Sequence, residues 1–478
     1  MAGFVGRGRE LALLAKRLDR VADGGAGAAL AIRGRRQVGK SRLVQEFCDR
    51  SGAPYLFFAA TRGASPVEAL TSFHAELRDS GLPSDPELVP AAGGGWADAF
   101  RVLASVLPER PSIVVLDELP WLAEQDDVFD GVLQTAWDRL LAQRPVLLLL
   151  LGSDLHMMER LTAYDRPFFG RADTLTLGPL NPVETGSATG LSGADAIDAQ
   201  LITGGLPGIL RAWPLGVRPL DFLRQEVEDP ASPVFGVPEA ALLAEFPRPD
   251  HARRVLEAVG SGDRTHATIA AAAGGGQAPL PSGSLSPLLR QLIEDKRVLA
   301  VDHPLSTQPG KPALHRVADS NLRLYLAILR QAHEQARRGR PEAAYRLVER
   351  RWTSWRGRAV EPLVREALEI AGAAGALPFP DVQAVGGWWN RQFDPEIDLI
   401  GADRAPVARA LHFAGSVKWL GTPFDQRDLG ALVGGAALVP GFVPGSTGLI
   451  AVSLGGFGPV TDGLALRWGP HDVVSAWQ

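Results

Sequence analysis

Residues 34–41 read Gly-Arg-Arg-Gln-Val-Gly-Lys-Ser and fill every fixed position of the pattern G-x-x-x-x-G-K-[ST]. This octapeptide constrains the fold more than any other feature, because it works in one setting only: the turn from a buried strand into a helix. Both flanks are present. Ala29–Ile32 is a short aliphatic run, and 41–50 places Leu43, Val44 and Phe47 at helical spacing. Gly34 and Gly39 allow backbone N–H groups to turn inward around an anion, and the helix N-terminus adds the positive end of its dipole. In such a loop Lys40 reaches the β- and γ-phosphates of a nucleotide, and Ser41 offers its hydroxyl to a magnesium ion.

A second element completes the chemistry. Ile113-Val114-Val115-Leu116 is a buried strand that delivers Asp117-Glu118 to its C-terminal edge, where α/β sheets place their ligands. Asp117 suits the Mg²⁺ shell, and Glu118 suits a general base for the attacking water. Further strands are expected at Tyr55–Phe58, Val146–Leu151 and Leu175–Leu177, alternating with amphipathic stretches as in a parallel sheet covered on both faces. Tyr55–Phe58 lies between the two motifs in sequence. An extra strand between them, with glutamate beside the aspartate, resembles the additional-strand, catalytic-glutamate class of P-loop ATPases. Ser153, just past the Val146–Leu151 run, is placed like the sensor polar residue of that class, and equally like the N-cap of a helix over 155–161.

The 478 residues exceed what one hydrophobic core organises, so three or four compact units are expected. A formal net charge of −5 gives no general case for nucleic-acid or membrane binding, and leaves a local patch open. The longest aliphatic run is too short to span a bilayer, and Met1 leads into Phe4–Arg7 without an apolar segment, so neither membrane nor secretory signal is expected. Cys48 is the single cysteine and sits in the apolar rhythm of its helix, which suits a buried residue in a cytoplasmic protein. Only five of the 49 basic residues are lysines, and two of them, Lys40 and Lys418, fall inside chemical motifs.

Several longer words carry a family resemblance. The opening segment Phe4-Val5-Gly6-Arg7-x-x-Glu10-Leu11 resembles the adenine-side start of AAA+ and STAND-type ATPases. Asp117-Glu118-Leu119-Pro120-Trp121-Leu122, 152–159, Phe169-Gly170-Arg171 and Gly204-Gly205-Leu206-Pro207 resemble the archaeal-type ATPase family. Members of that family often carry a C-terminal DUF234 domain related to PD-(D/E)xK nucleases. Glu361, 387–390, Glu396–Ile400 and Ser416-Val417-Lys418-Trp419 stand where that domain would have them. The resemblance implies an AAA+-like parallel sheet with a helical lid, then a winged-helix domain and a small α/β nuclease-like domain. The corresponding boundaries are 1–180, 181–245, 246–320, a basic helical connector at 321–358, and 359–478.

The same resemblance assigns roles. Val5, Gly6 and Arg7, with Gly34, Gly39, Lys40, Ser41 and Arg42, would bind Mg-ATP. Arg171 would be the arginine finger or sensor arginine, unless it is a structural residue. In the winged helix, Ser286–Glu294 would be the recognition-like helix, capped by Ser286 with Pro287 in its first turn. Arg290, Lys296 and Arg297 would then meet DNA phosphates, although such a module serves equally as a spacer or protein-docking unit. Residues 337–358 hold eight arginines against two glutamates, either a second contact to double-stranded DNA or a solvated helix face.

A PD-(D/E)xK centre needs two acids for a metal and a lysine for developing charge. Asp398 and Lys418 match, and Glu361 offers a second acid, but Ser416 stands where the motif has its own second carboxylate. A hydroxyl is a poor substitute for an anionic Mg²⁺ ligand. The expectation is therefore a dead or weakened nuclease, with Asp398 and Lys418 left as an ion pair. The leading functional expectation is a Mg-ATP-hydrolysing switch, plausibly oligomeric. An ATP-regulated nuclease and a nucleotide-locked scaffold are the alternatives.

Overall fold

The computed structural model describes residues 4–478 except 91–93, 155–156, 160–162, 165, 167, 247–249, 276–277 and 460–461. The chain forms two compact units, Met1–Pro179 and Leu180–Gln478.

The first unit is built on five parallel strands: β1 (Ala28–Arg33), β2 (Tyr55–Ala59), β3 (Ser112–Asp117), β4 (Val146–Gly152) and β5 (Ala172–Thr176). Their spatial order is β2-β3-β4-β1-β5. Every residue of β3 and β4 is buried, as continuous aliphatic runs between two helical layers require. Along the strands Ala29, Ala31, Val114, Leu116, Leu148 and Leu150 join a core with Phe73, Phe100, Phe129 and Leu133 from one helical layer. Pleating turns their alternate neighbours to the opposite face. There Leu14 of the helix Gly8–Gly24 and Leu43, Val44 and Phe47 of the helix Lys40–Ser51 are buried. Cys48 is buried with them, and its burial pushes the thiol up to about 12.

The strand that separates β1 from β3 in space is β4. Strand β2 comes between them only in sequence and forms an edge of the sheet. The parallel pairing of β1 with β4 and of β3 with β4 brings the phosphate loop, Asp117 and Ser153 to one edge of the sheet.

The second unit begins with short helices from Pro182–Thr189 to Pro233–Glu245. Three more follow at His251–Ser261, His266–Ala273 and Ser282–Arg290, and then an antiparallel pair, β6 (Leu299–Asp302) and β7 (Leu314–Val317). The third of these helices starts at Ser282, four residues before the expected cap, and Pro287 lies inside it. Pro287 is exposed while Leu285 and Leu289 are buried, so the proline ring sits on the solvent side of the helix. The arginine-rich segment folds as two helices, Arg330–Arg337 and Pro341–Ala359, joined by a three-residue turn.

A mixed sheet closes the chain, in the order β12-β11-β10-β9-β8. Its strands are β8 (Ala384–Trp389), β9 (Glu396–Ala402), β10 (Leu411–Lys418), β11 (Gly448–Ser453) and β12 (Leu466–Trp468). One face packs on Val364, Ala367 and Leu368 of the helix Glu361–Ala373. The other packs on Leu429, Leu432 and Ala436 of the helix Gln426–Ala436. Among the described residues no helix is long and apolar enough to cross a membrane.

Candidate functional site

The phosphate loop owes its shape to two glycines. A Cβ on Gly34 would lie 2.4 Å from the Leu177 carbonyl oxygen, so only glycine lets the end of β1 pass this close to the chain leaving β5. Gly39 adopts φ 91°, which turns the chain into the helix Lys40–Ser51. Gln37 is also left-handed, at φ 67°. Alternation of this kind points successive N–H groups into one concavity. Lys40 is buried and curls back over the loop, its Nζ donating to the carbonyls of Gly34 at 2.7 Å and Arg35 at 3.2 Å. Burial lowers its pKa, against the attraction of Glu118 and Asp117.

Asp117 is buried at the end of β3, and burial raises its carboxyl above the usual range. A hydrogen bond from the Ser41 hydroxyl and the Glu118 N–H, 2.8 Å from Asp117 Oδ1, work in the opposite direction. Ser41, Asp117 and Lys40 are therefore gathered as the two motifs require. Glu118 occupies the left-handed region at φ 52°, ψ 41°, uncommon for a residue with a Cβ and a form of strain that collects at functional sites. Its Oε2 accepts a hydrogen bond of 2.9 Å from Ser153 Oγ. Capping falls instead to the next residue, since Asp154 Oδ1 accepts from the Met157 N–H at 2.9 Å. Most of the helix expected over 155–161 lies outside the described residues.

The donor set fits Mg²⁺ with a triphosphate: a hydroxyl and a carboxylate for a hard cation that keeps waters and phosphate oxygens as its other ligands, beside a lysine and a backbone concavity. Among the described residues no group of three His, Cys, Asp or Glu side chains is arranged to hold a metal without such help.

Arg7 serves the site from behind. It is buried at φ 63°, and its Nη2 donates to the carbonyls of Val38 at 3.0 Å and Gly178 at 2.6 Å. The guanidinium thus braces the phosphate loop, with Gly6 beside it at φ 71° and Val5 half-buried. Arg42 is exposed and pairs with Glu46 at 2.8 Å.

Arg171 is not at this edge. It immediately precedes β5, whose Ala172 pairs with Ala29 at the start of β1, whereas the phosphate loop follows the end of β1. The full length of β1, about 17–20 Å, separates the two levels. Its guanidinium forms a two-pronged pair with Asp138, Nε to Oδ1 and Nη2 to Oδ2, both 2.8 Å. Arg171 therefore cannot act as a finger on the phosphate loop of its own chain, because parallel strand direction puts it at the wrong end of the sheet.

Two arginines that the sequence motifs do not single out are at the right end. Arg36 of the loop and Arg62, just past β2, both lie over the ring of Trp121, with the Cζ atoms 6.0 and 4.8 Å from its centroid. The signal that would have found Arg36 is its position inside the octapeptide. Nothing local marks Arg62.

The C-terminal candidates are brought together only in part. Ser416 and Asp398 stand across the β9/β10 ladder, and Asp398 Oδ2 accepts from Ser416 Oγ at 2.9 Å and the Val417 N–H at 2.8 Å. Arg365 donates from Nε to the Asp398 carbonyl at 3.0 Å and lies 3.4 Å from Glu361 Oε2. Burial and the nearby Asp398 raise the Glu361 carboxyl to about 7. The expected Asp398–Lys418 pair does not form. Lys418 Nζ is instead 2.6 Å from Asp428 Oδ2 and 2.8 Å from the Pro423 carbonyl, because a lysine two residues along β10 from Ser416 finds its counter-ion on the adjoining helix.

In the helices before β6, Lys296 pairs with Glu245 at 2.8 Å, and Arg290 and Arg297 are exposed. In the arginine-rich helices Arg356 is bound to buried Asp198 at 2.7 Å, while Arg337, Arg338, Arg340, Arg346, Arg350, Arg351 and Arg358 are exposed.

Residues 3–152 match the AAA ATPase domain family, and residues 325–427 match DUF234, a family of archaeal and bacterial proteins of unknown function. No curated protein sequence matches the chain. Similar solved structures include the Walker-type ATPase PABY2304 of Pyrococcus abyssi, 17% identical, covering 68% of this chain and 96% of that one with a TM-score of 0.46. The Aeropyrum pernix ORC1 protein, solved in complex with DNA, is 16% identical over 72% of this chain and 95% of its own, with a TM-score of 0.35. Cdc6p from Pyrobaculum aerophilum is 14% identical over 70% and 97%, with a TM-score of 0.33. The chain therefore carries an AAA ATPase domain and, further along, a DUF234 region.

Proposed function

We propose that the chain hydrolyses Mg-ATP and uses the nucleotide cycle as a switch. The observation that carries this reading is the convergence of Lys40, Ser41, Asp117, Glu118 and Ser153 on one edge of a parallel sheet. Ser41 and Asp117 would hold the magnesium ion, which when bound neutralises phosphate charge. Lys40 would exchange the Gly34 and Arg35 carbonyls for phosphate oxygens. Glu118 would take the proton of the attacking water, oriented by the Ser153 hydroxyl it already bonds. The buried Cys48 suits a reducing, cytoplasmic setting.

The output of the switch would be carried to double-stranded DNA by the second unit. Three helices followed by the β6/β7 hairpin have the element order of a winged helix, and the seven exposed arginines of 337–358 present a surface suited to phosphates. The C-terminal sheet supports a binding role over a nuclease role. Asp398 is engaged by Ser416 and Val417, and Lys418 by Asp428, so Asp398 and Lys418 are committed to separate partners. Self-association would be needed for Arg171 to act on a neighbouring copy.

The test is phosphate release from Mg-ATP with and without double-stranded DNA, for wild type, Lys40→Ala and Glu118→Gln. Turnover abolished in both variants and stimulated by DNA in the wild type is expected. Bound nucleotide without turnover in the wild type would instead establish a locked scaffold.

A further inference from the structure

Arg171 lies at the far end of the sheet, yet cations are not lacking at the edge that carries the phosphate loop. Arg36 and Arg62 share the ring of Trp121. Trp121 is half-buried and one helical turn beyond Glu118, whose carbonyl accepts the Trp121 N–H at 2.9 Å. The stack therefore lies on the Glu118 side of the phosphate loop. Two neighbouring arginines of this unit are paired with acids, Arg33 with Glu159 and Arg42 with Glu46. Arg36 and Arg62 have no ion-pair partner among the described residues. Arg36 is also near enough to Lys40 to disfavour its charged form. Two guanidiniums on one half-buried ring repel each other, and the ring compensates only in part. A doubly charged phosphate would balance them, and a guanidinium fork matches its oxygens.

We propose that Arg36 and Arg62, carried on Trp121, form a clamp that reads the γ-phosphate and so separates nucleoside triphosphate from diphosphate. The clamp rests on the nucleotide-site reading above. With diphosphate bound both guanidiniums stay on the ring. With triphosphate bound Arg36 turns from the ring to the added phosphate. Because Arg36 belongs to the loop and Trp121 to the helix that Glu118 caps, this exchange alters the tie between the phosphate loop and the base. It is a means by which one phosphate group changes the shape of the site.

Calorimetric titration of the full chain with Mg-ADP and with the Mg complex of the β,γ-imido analogue of ATP tests the clamp in wild type, Arg36→Gln, Arg62→Gln and Arg36→Lys. Glutamine keeps part of the stem over the ring, and Arg62 is exposed, so at least one neutral variant will fold, as circular dichroism will verify. The wild type should prefer the triphosphate analogue. Each glutamine variant should lose about tenfold of that preference with ADP affinity unchanged, and Arg36→Lys should recover part of it. Equal losses for both nucleotides, or no loss in either glutamine variant, overturn the clamp. A wild type that binds neither nucleotide overturns the underlying nucleotide-site reading instead.

Discussion

Glu361 makes the C-terminal sheet sensitive to pH in a direction that the structure fixes. The residue opens the helix Glu361–Ala373, with Arg365 3.4 Å away and Asp398 beside it. Burial, then repulsion from Asp398, raises its carboxyl from 4.5 to about 7. Its stabilising effect is therefore complete below the unfolded value near 4.5 and is lost as pH rises through about 7, because the folded state holds the proton more tightly. At 1.36 kcal/mol per unit the shift corresponds to about 3 kcal/mol. That is an upper value, since 21% of the side chain still meets solvent. Glu361→Gln keeps an oxygen for Arg365 and removes the titration. Hydrogen exchange of the β9 and β10 amides, corrected for intrinsic rates, should show wild-type protection falling between pH 5 and pH 8. The variant should fall less steeply, because only Asp398, also raised by burial, is left to titrate there, and it should be better protected than wild type at pH 8. Wild-type protection that does not change with pH, or a variant that follows the wild-type slope, would refute the reasoning.

Two further predictions concern the first unit. Ser153→Ala removes the hydroxyl that holds Glu118 and should reduce ATP turnover about tenfold while leaving the ATP Kd within about twofold, because a positioning bond to the base acts on the chemical step. An equal loss in Kd would assign Ser153 to binding instead. Arg171→Ala breaks the pair with Asp138 and the bond to the Phe169 carbonyl, at the end of the sheet away from the phosphate loop, so turnover at dilute, monomeric concentration should be unchanged. A collapse of turnover that appears only at concentrations where the chain self-associates would identify a finger acting between copies.

The parts of the fold that could be read in advance are those where local pattern decides structure. Continuous aliphatic runs gave β3 and β4, and the octapeptide fixed the strand, turn and helix around it. Placement across the sheet was not legible, because strand order depends on non-local pairing. Tyr55–Phe58 is next to the phosphate loop in sequence and at the far edge in space. The position of Arg171 was hidden for the same reason. A motif word names a residue but not the sheet edge at which parallel connections leave it. Lys418 shows a third limit, since its spacing from Asp398 is that of a nuclease motif while Asp428, ten residues further on, captures the ammonium. Ser416 was informative, for a hydroxyl opposite Asp398 turns a would-be metal ligand into a hydrogen-bond acceptor. The helix cap expected at Ser286 failed because the apolar rhythm of Leu285 and Leu289 extends the helix back through an exposed proline position.

The account stands or falls on whether Glu118 drives hydrolysis at a site that holds nucleotide through Lys40. The most direct measurement is the identity of the nucleotide retained after the protein is incubated with Mg-ATP and rapidly desalted, in wild type and in Glu118→Gln. The account predicts ADP on the wild type and intact ATP on the variant. Intact ATP on both, or ADP on both, would contradict it.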